Sequence, residues 1–306
     1  MRTVRKRSSL DSPCEARVAA DTGDLCGECP LWVPQELAIY WSDITGQRVH
    51  RFISGATEPE LLLKGTEVSG LIAHADGGFT VVNSQGLWRW DGGAGFDNCV
   101  KAVNGQTCQL NDCIADARGR VISGSQFFNP HEQYELGKLF LFDTDGSTRI
   151  LDEGLHLSNG LAWSPAGDFL YLADSVARRI YRYAYNLAAG SIGEREVLIQ
   201  VPEEDGIPDG MTTDSEGFLW SAHWYGGCVV RYDPDGKEER RIHLPAKQIS
   251  SVAFGGPDLA DLYITSAAQA EPGPTPPGYE ATGYLGGALY CLRTDVQGRA
   301  ENISRW

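Results

Sequence analysis

One pattern recurs six times along this chain, and it leaves few folds open. Each copy begins with a polar residue and a short apolar run. A turn rich in Gly, Asp or Pro follows, then a second run that is often aromatic, then a third that ends in another polar turn. The first copy runs from Glu28 to Trp32, through Ile39–Asp43, to Arg48–Phe52. The fourth runs from Asn159 to Trp163, through Phe169–Asp174, to Arg179–Tyr183. The starting residues Glu28, Ser69, Asn111, Asn159, Asp209 and Ser250 lie 41, 42, 48, 50 and 41 positions apart. A period of ~40–50 residues with several strands per unit is the signature of a β-propeller. The expected fold is therefore all-β, a six-bladed β-propeller.

The connections agree with that reading. Asp76-Gly-Gly, Ala117-Arg-Gly, Ala166-Gly-Asp and Ser215-Glu-Gly are hairpin-turn sequences. Fourth strands are assigned to segments such as Glu60–Leu63 and Glu196–Ile199. The last copy lacks an outer strand after Ala288–Leu292. Glu15–Ala19, ahead of the first copy, reads as the strand that completes it, joining the two ends and covering an edge. An open solenoid would instead need capping repeats, which this sequence does not contain. Residues 1–13 are expected to be a disordered basic tail and residues 14–306 a single propeller domain.

Charge narrows the partners. The formal net charge is −15, and the body of the chain carries no basic patch of the kind that phosphate neutralisation requires. No nucleic acid is expected. No window approaches the ~18 consecutive apolar residues of a membrane span, so no membrane partner is expected either. The eight cysteines are scattered through a chain long enough to fold without staples, and no export signal is visible. Reduced thiols in the cytoplasm are the expectation. Cys26-Gly-Glu-Cys29 has no second pair at zinc-ribbon spacing and reads as coincidence. A monomer or weak homo-oligomer is expected.

The repeat also points to a site. In a propeller the innermost strands line a central channel, so residues at equivalent positions form a ring about one axis. Four of the six starting residues, Glu28, Asn111, Asn159 and Asp209, carry carboxylate or amide oxygens. Each has a plainer reading alone: Asn159-Gly160 and Asp209-Gly210 as turns, Glu28 as a surface charge, Asn111 as a strand-starting cap. In register across the repeat, they form a hard, oxygen-rich donor set suited to one divalent cation. Ca²⁺ leads, with Mn²⁺, Mg²⁺, Zn²⁺ and Fe²⁺ compatible.

At these residues the chain resembles the regucalcin/gluconolactonase/luciferin-regenerating-enzyme family. Gly27-Glu28-Cys29-Pro30-Leu31-Trp32 is similar to its Gly-Glu-x-Pro-x-Trp strand. Asn111-Asp112 with Gly119-Arg120 resembles its Asn-Asp…Gly-Arg motif. Asn159-Gly160 through Ser164-Pro165 resembles Asn-Gly-x-x-x-Ser-Pro, and Pro208-Asp209-Gly210-Met211 resembles Pro-Asp-Gly-x. The resemblance implies a six-bladed propeller with one divalent metal, acting as a lactonase on sugar lactones. It implies metal ligands at Glu28, Asn159 and Asp209, a general base at Asp209, and substrate contact at Asn111. Two positions depart from the pattern. Gln109 stands where the family has a substrate-contacting Arg, and Gly124-Ser125-Gln126, with Asn129 near the acidic position, replaces a Gly-Thr-Met segment. Gln109 and Asn129 are the remaining expected substrate contacts, in a pocket wall that differs from the family's.

The expected reaction is hydrolysis of an aldonolactone to the aldonic acid, gluconolactonase-like. Two rivals stand beside it: a metal-dependent esterase or phosphotriesterase on the same site, and a non-catalytic metal-binding propeller, since fold does not fix function. His74, His131, His156 and His223 are accessory candidates, each with a plainer packing or surface reading. Gln126–Gly137 reads as a lid-forming insertion, and Ala270–Gly287 as a long mobile loop at the same mouth or at the rim.

Overall fold

The structure is a computed structural model that describes residues 16–125, 136–270 and 273–306. Its six principal sheets are the six repeats. The first holds Gly27–Val33, Ala38–Asp43, Arg48–Ile53 and Glu60–Lys64; the second holds Gly70–Ala73, Phe79–Asn83, Gly86–Trp90 and Phe96–Val100. The third holds Leu110–Ala115, Val121–Ser125, Gly137–Phe142 and Thr148–Leu155. The fourth holds Ser158–Trp163, Phe169–Asp174, Arg179–Asn186 and Glu196–Gln200, with a short Ser191–Ile192 strand on its third. The fifth holds Ile207–Thr213, Leu219–Trp224, Cys228–Tyr232 and Glu238–His243. Among the described residues, strand pairings within these sheets are antiparallel. The first strand of each blade lies against that of the next, and the sixth lies against the first, so the ring closes about a central channel.

Burial explains the order within each blade. Ala38–Asp43 and Leu219–Trp224 are buried throughout, while the outer strands Glu60–Lys64 and Glu238–His243 are largely exposed or half-buried. Inner strands are covered on both faces by neighbouring blades, so they tolerate apolar residues at every position. Outer strands show a sheet edge to solvent and carry Glu, Lys and Arg, which discourage edge pairing. The core is a set of layers between blades. Ile122, Leu139 and Leu141 of the third blade pack with Trp163, Leu172, Tyr181 and Tyr183 of the fourth. The hairpin turns repeat as well. Gly77, Gly119, Gly167 and Gly217 occupy equivalent positive-φ positions between first and second strands, each donating its N–H back across the turn.

The N-terminal segment closes the ring. Arg17–Asp21 pairs with Ala288–Arg293 as the outer strand of the sixth blade, whose other strands are Ile249–Gly255 and Asp261–Ser266. The strand begins and ends two residues later than the Glu15–Ala19 expectation. The tail expected over 1–13 lies outside the described residues. Asp24 latches this closure. Its carboxylate accepts from Thr22, from the Trp41 indole at 2.8 Å and from Arg48, and it faces His50 at 3.2 Å. Its own N–H donates to Gly287, and its carbonyl accepts from Ala268. One buried residue thus joins the sixth blade to the first. Asp24→Ala is expected to lower stability by ~3 kcal/mol, because buried donors lose their acceptor. Denaturant unfolding checks this; a change under ~1 kcal/mol would show that the latch carries little of the closure.

A second tie was not anticipated. Beyond the last strand the C-terminal segment runs across the end of the channel where first strands finish. Ser215 N–H donates to Gln297, Arg299 to Ser164 at 2.9 Å, Asn302 to Ala115 at 3.1 Å, and Ser304 pairs with Ala73 and Ala75. The strap therefore crosses from the fifth blade to the second. His74 is used here, with Nε2 against the Trp306 carbonyl at 3.1 Å.

Candidate functional site

All six first strands run in the same sense through the ring, so their starting residues share one end of the channel. Glu28, Asn111, Asn159 and Asp209 are brought together there, and the carboxyls of Glu28 and Asp209 act on each other electrostatically. Glu28 and Asp209 are buried, and Asn111 and Asn159 are half-buried. At each of the four blades the pairing with the second strand slips between the starting residue and its successors, as between Glu28 and Leu31 or Pro208 and Met211. This irregularity re-aims the local side chains, a common use of a bulge beside a site.

Glycines set how closely the strands approach. Neither Gly160 nor Gly210 has the positive φ of a turn. A Cβ on Gly160 would lie 2.3 Å from the Asp209 carbonyl oxygen, and one on Gly210 would lie 2.0 Å from Ser251 Oγ. The Asn-Gly and Asp-Gly pairs therefore belong to strands, and their glycines let neighbouring blades pack at the mouth.

The amide orientations follow from hydrogen bonds. Asn111 Nδ2 donates to the Ser158 carbonyl at 2.9 Å, and Asn159 Nδ2 donates to Ser175 Oγ at 3.2 Å. With both nitrogens committed, each Oδ1 is the end left for a ligand. Asp209 Oδ1 is buried without a hydrogen-bond partner, which is costly unless something binds it. Burial pushes the Asp209 carboxyl well above the usual carboxylate range, reinforced by Glu28 and Asp112. Burial, then the charge of Asp112, pushes Glu28 up to about 8. Asp112 itself is pushed up to about 7, by burial and then by the charge of Glu301, against backbone hydrogen bonds from Cys113 and Leu161. Glu28 and Asp209, both buried and acting on each other, cannot both ionise without a counter-charge. A divalent cation supplies one, and hard oxygen donors are what Ca²⁺, Mg²⁺ and Mn²⁺ take. The residues present fit such an ion.

Other expectations separate. Ser69 and Ser250, although in register with the four, turn their hydroxyls into the blades: Ser69 Oγ lies 3.0 Å from both the Val82 and Leu110 carbonyls, and Ser250 Oγ lies 2.5 Å from the Gly27 carbonyl. Gln109 is exposed, two residues before Asn111. Asn129, His131 and most of the expected lid lie outside the described residues. His223 is fully buried and spent on structure, with Nδ1 at 3.0 Å from the Asp205 carbonyl and Nε2 at 3.3 Å from Tyr232 Oη. Burial pulls it down to about 4, so it stays neutral at neutral pH. His156 contacts Asp174 at 3.2 Å, ahead of Asn159. Cys26 and Cys29 form no disulfide; Cys29 Sγ meets the Ser69 carbonyl at 2.6 Å.

The Pro/Gly-rich segment after Ser266 is pinned at several points. Pro274 accepts from Arg178 of the fourth blade at 3.0 Å. Tyr279 packs edge-on against Tyr225 of the fifth, with ring centres 4.8 Å apart, and Lys247 donates to the Glu280 and Thr282 carbonyls. The loop thus reaches from the sixth blade over the fifth to the fourth, at the end that carries Asn159 and Asp209. Sequence reading passed over Asp112 and Glu301 as contributors to the channel. Asp112 was visible as the neighbour of Asn111; Glu301 lies in a segment with no periodic signal.

Comparison with known proteins gives a consistent result. Residues 26–268 match the SMP-30/gluconolactonase/LRE-like region. The chain is 37% identical to pentonolactonase XacC of Haloferax volcanii over 281 residues, covering 92% of this chain and 95% of that protein. It is 32% identical to a 6-deoxy-6-sulfogluconolactonase of Pseudomonas putida, covering 90% and 94%. Among solved structures, a luciferin-regenerating enzyme superposes with a TM-score of 0.84 at 26% identity, over 95% of this chain and 99% of that one.

Proposed function

This chain belongs to the SMP-30/gluconolactonase/LRE-like family, and from that premise we propose that it is a divalent-metal-dependent hydrolase opening a sugar lactone to its aldonic acid. The observation that carries the reading is the meeting of two carboxyls and two oriented amides at one end of the channel, with Asp209 Oδ1 left unpartnered. The names of two relatives, a pentonolactonase and a 6-deoxy-6-sulfogluconolactonase, support a sugar lactone as the substrate class. A cytoplasmic location belongs to the same reading.

Glu28, Asn159 and Asp209 would hold the ion. When bound, it would polarise the lactone carbonyl and offset the charge of the carboxylates. With its charge offset in the occupied site, Asp209 would be ionised and would take a proton from the attacking water. The water oxygen adds to the carbonyl carbon, the ring C–O bond breaks, and the proton passes to the departing ring oxygen as a hydroxyl. Asn111 and Gln109 orient the sugar hydroxyls, with Asn129 as a further contact.

Chelated protein assayed on pentono- and hexono-lactones, by proton release in weak buffer with and without Ca²⁺, Mn²⁺ or Mg²⁺, tests the assignment. Turnover of at least one lactone, restored by a cation, is expected. Cation-independent turnover would remove the metal from the reading. Turnover of aryl esters or phosphotriesters in place of every lactone would move the substrate class.

A further inference from the structure

The two amide contacts at the mouth belong to a wider hydrogen-bond pattern that runs around it. In each of the four blades bearing Glu28, Asn111, Asn159 or Asp209, the carbonyl just before that residue accepts from a side chain of the preceding blade. Ser250 Oγ contacts the Gly27 carbonyl at 2.5 Å, and Ser69 Oγ contacts that of Leu110 at 3.0 Å. Asn111 Nδ2 donates to Ser158 at 2.9 Å, and Ser175 Oγ donates to Pro208 at 2.7 Å. Ser69 and Ser250 stand in register with the four oxygen-bearing residues yet serve this collar. It fixes the height of each strand start where it meets the axis.

Ser175 is the member whose hydroxyl meets two of the expected ligands' strands at once. It is fully buried at the end of the fourth blade's second strand. Its hydroxyl accepts from Asn159 Nδ2 at 3.2 Å and donates to the carbonyl that precedes Asp209. One hydroxyl therefore touches the amide of one expected ligand and the backbone of another, on different blades. We propose that Ser175 is a positioning residue of the ion site, turning the Asn159 amide so that Oδ1 faces the axis and holding the Pro208–Asp209 backbone in place. The proposal rests on the metal-site reading above. Partners behind the direct ligands set ligand orientation, and their loss typically weakens metal binding ~10–100-fold.

The test is Ca²⁺ and Mn²⁺ affinity by isothermal titration calorimetry, which needs no turnover. Ser175→Ala is expected to weaken binding about tenfold. Ser221→Ala, at another fully buried serine whose hydroxyl meets the Ala222 carbonyl, reports the effect of losing a buried hydroxyl away from the collar and is expected to leave affinity within about twofold. The orientation role is tested by adding Asn159→Asp. A carboxylate has no nitrogen end to misplace, so Ser175→Ala in that background is expected to cost less than about threefold, because the two changes couple. Unchanged affinity in Ser175→Ala, with the wild-type protein binding, overturns the positioning role and leaves the metal reading standing. Equal losses in both backgrounds overturn the amide-orienting role. A wild-type protein that binds neither cation overturns the metal reading and the proposal together. Ser175→Thr keeps the hydroxyl and is expected to retain most of the affinity, which separates lost hydrogen bonding from lost folding.

Discussion

Asp209→Asn is expected to reduce lactone turnover by at least ~1,000-fold at saturating cation. The change keeps the shape of the side chain and removes its capacity to take a proton, so loss on this scale follows from removing the base together with a charged ligand. Proton-release rates measured beside cation affinity separate the two roles. Retained affinity with lost turnover assigns Asp209 to proton transfer, and parallel losses assign it mainly to holding the ion. Turnover within tenfold of wild type would sink both assignments. Burial, reinforced by Glu28 and Asp112, opposes ionisation of Asp209, and Asn carries no charge, so the metal-free variant is expected to unfold at a higher temperature than metal-free wild type at alkaline pH.

Glu28→Gln is expected to abolish measurable cation binding, a loss of ~100-fold or more, while stabilising the empty protein. The sign follows from linkage. Burial and Asp112 hold the Glu28 carboxyl near 8 in the folded chain, against 4.5 for the free group. Between those values the empty native state keeps a proton that the unfolded chain has lost. Its stability therefore falls as pH rises through this window. Gln carries no such charge. The advantage of the variant is expected to be small near pH 5 and largest above pH 8, where ~5 °C in the unfolding midpoint is a reasonable scale. Thermal unfolding of chelated proteins from pH 5 to 9 checks this. A variant less stable than wild type at pH 8, or a gap that widens toward acid, would mean that Glu28 is not held protonated by its surroundings. In wild type the cation must displace this proton, so affinity is expected to rise with pH over the same range.

These expectations start from residues that the repeat already aligned, yet the repeat could not rank them. Glu28, Ser69, Asn111, Asn159, Asp209 and Ser250 are equivalent by position. Only the partners across each seam show that the two serines bond into neighbouring blades. The same limit applies to Gly160 and Gly210. A dipeptide such as Asn-Gly favours a turn when read locally, but here the missing Cβ is required by a neighbouring strand ~50 residues away. His223 looked available beside the mouth until the fold set it between Asp205 and Tyr232.

The sequence by itself determined the blade count, the all-β class, the segment that closes the ring and the equivalence of Glu28, Asn111, Asn159 and Asp209 at the strand starts. Those features are written in a periodic pattern, and a repeat whose apolar faces can be buried only against its neighbours specifies its own stacking. Tertiary structure alone decided the collar through Ser175, the anchoring of the 273–287 loop, the strap from Gln297 to Trp306 and the placing of Asp112 and Glu301 in the channel. Each depends on hydrogen bonds or charges between residues far apart in the chain. Such contacts leave no local periodicity, and they come into being only when the ring brings the blades into register.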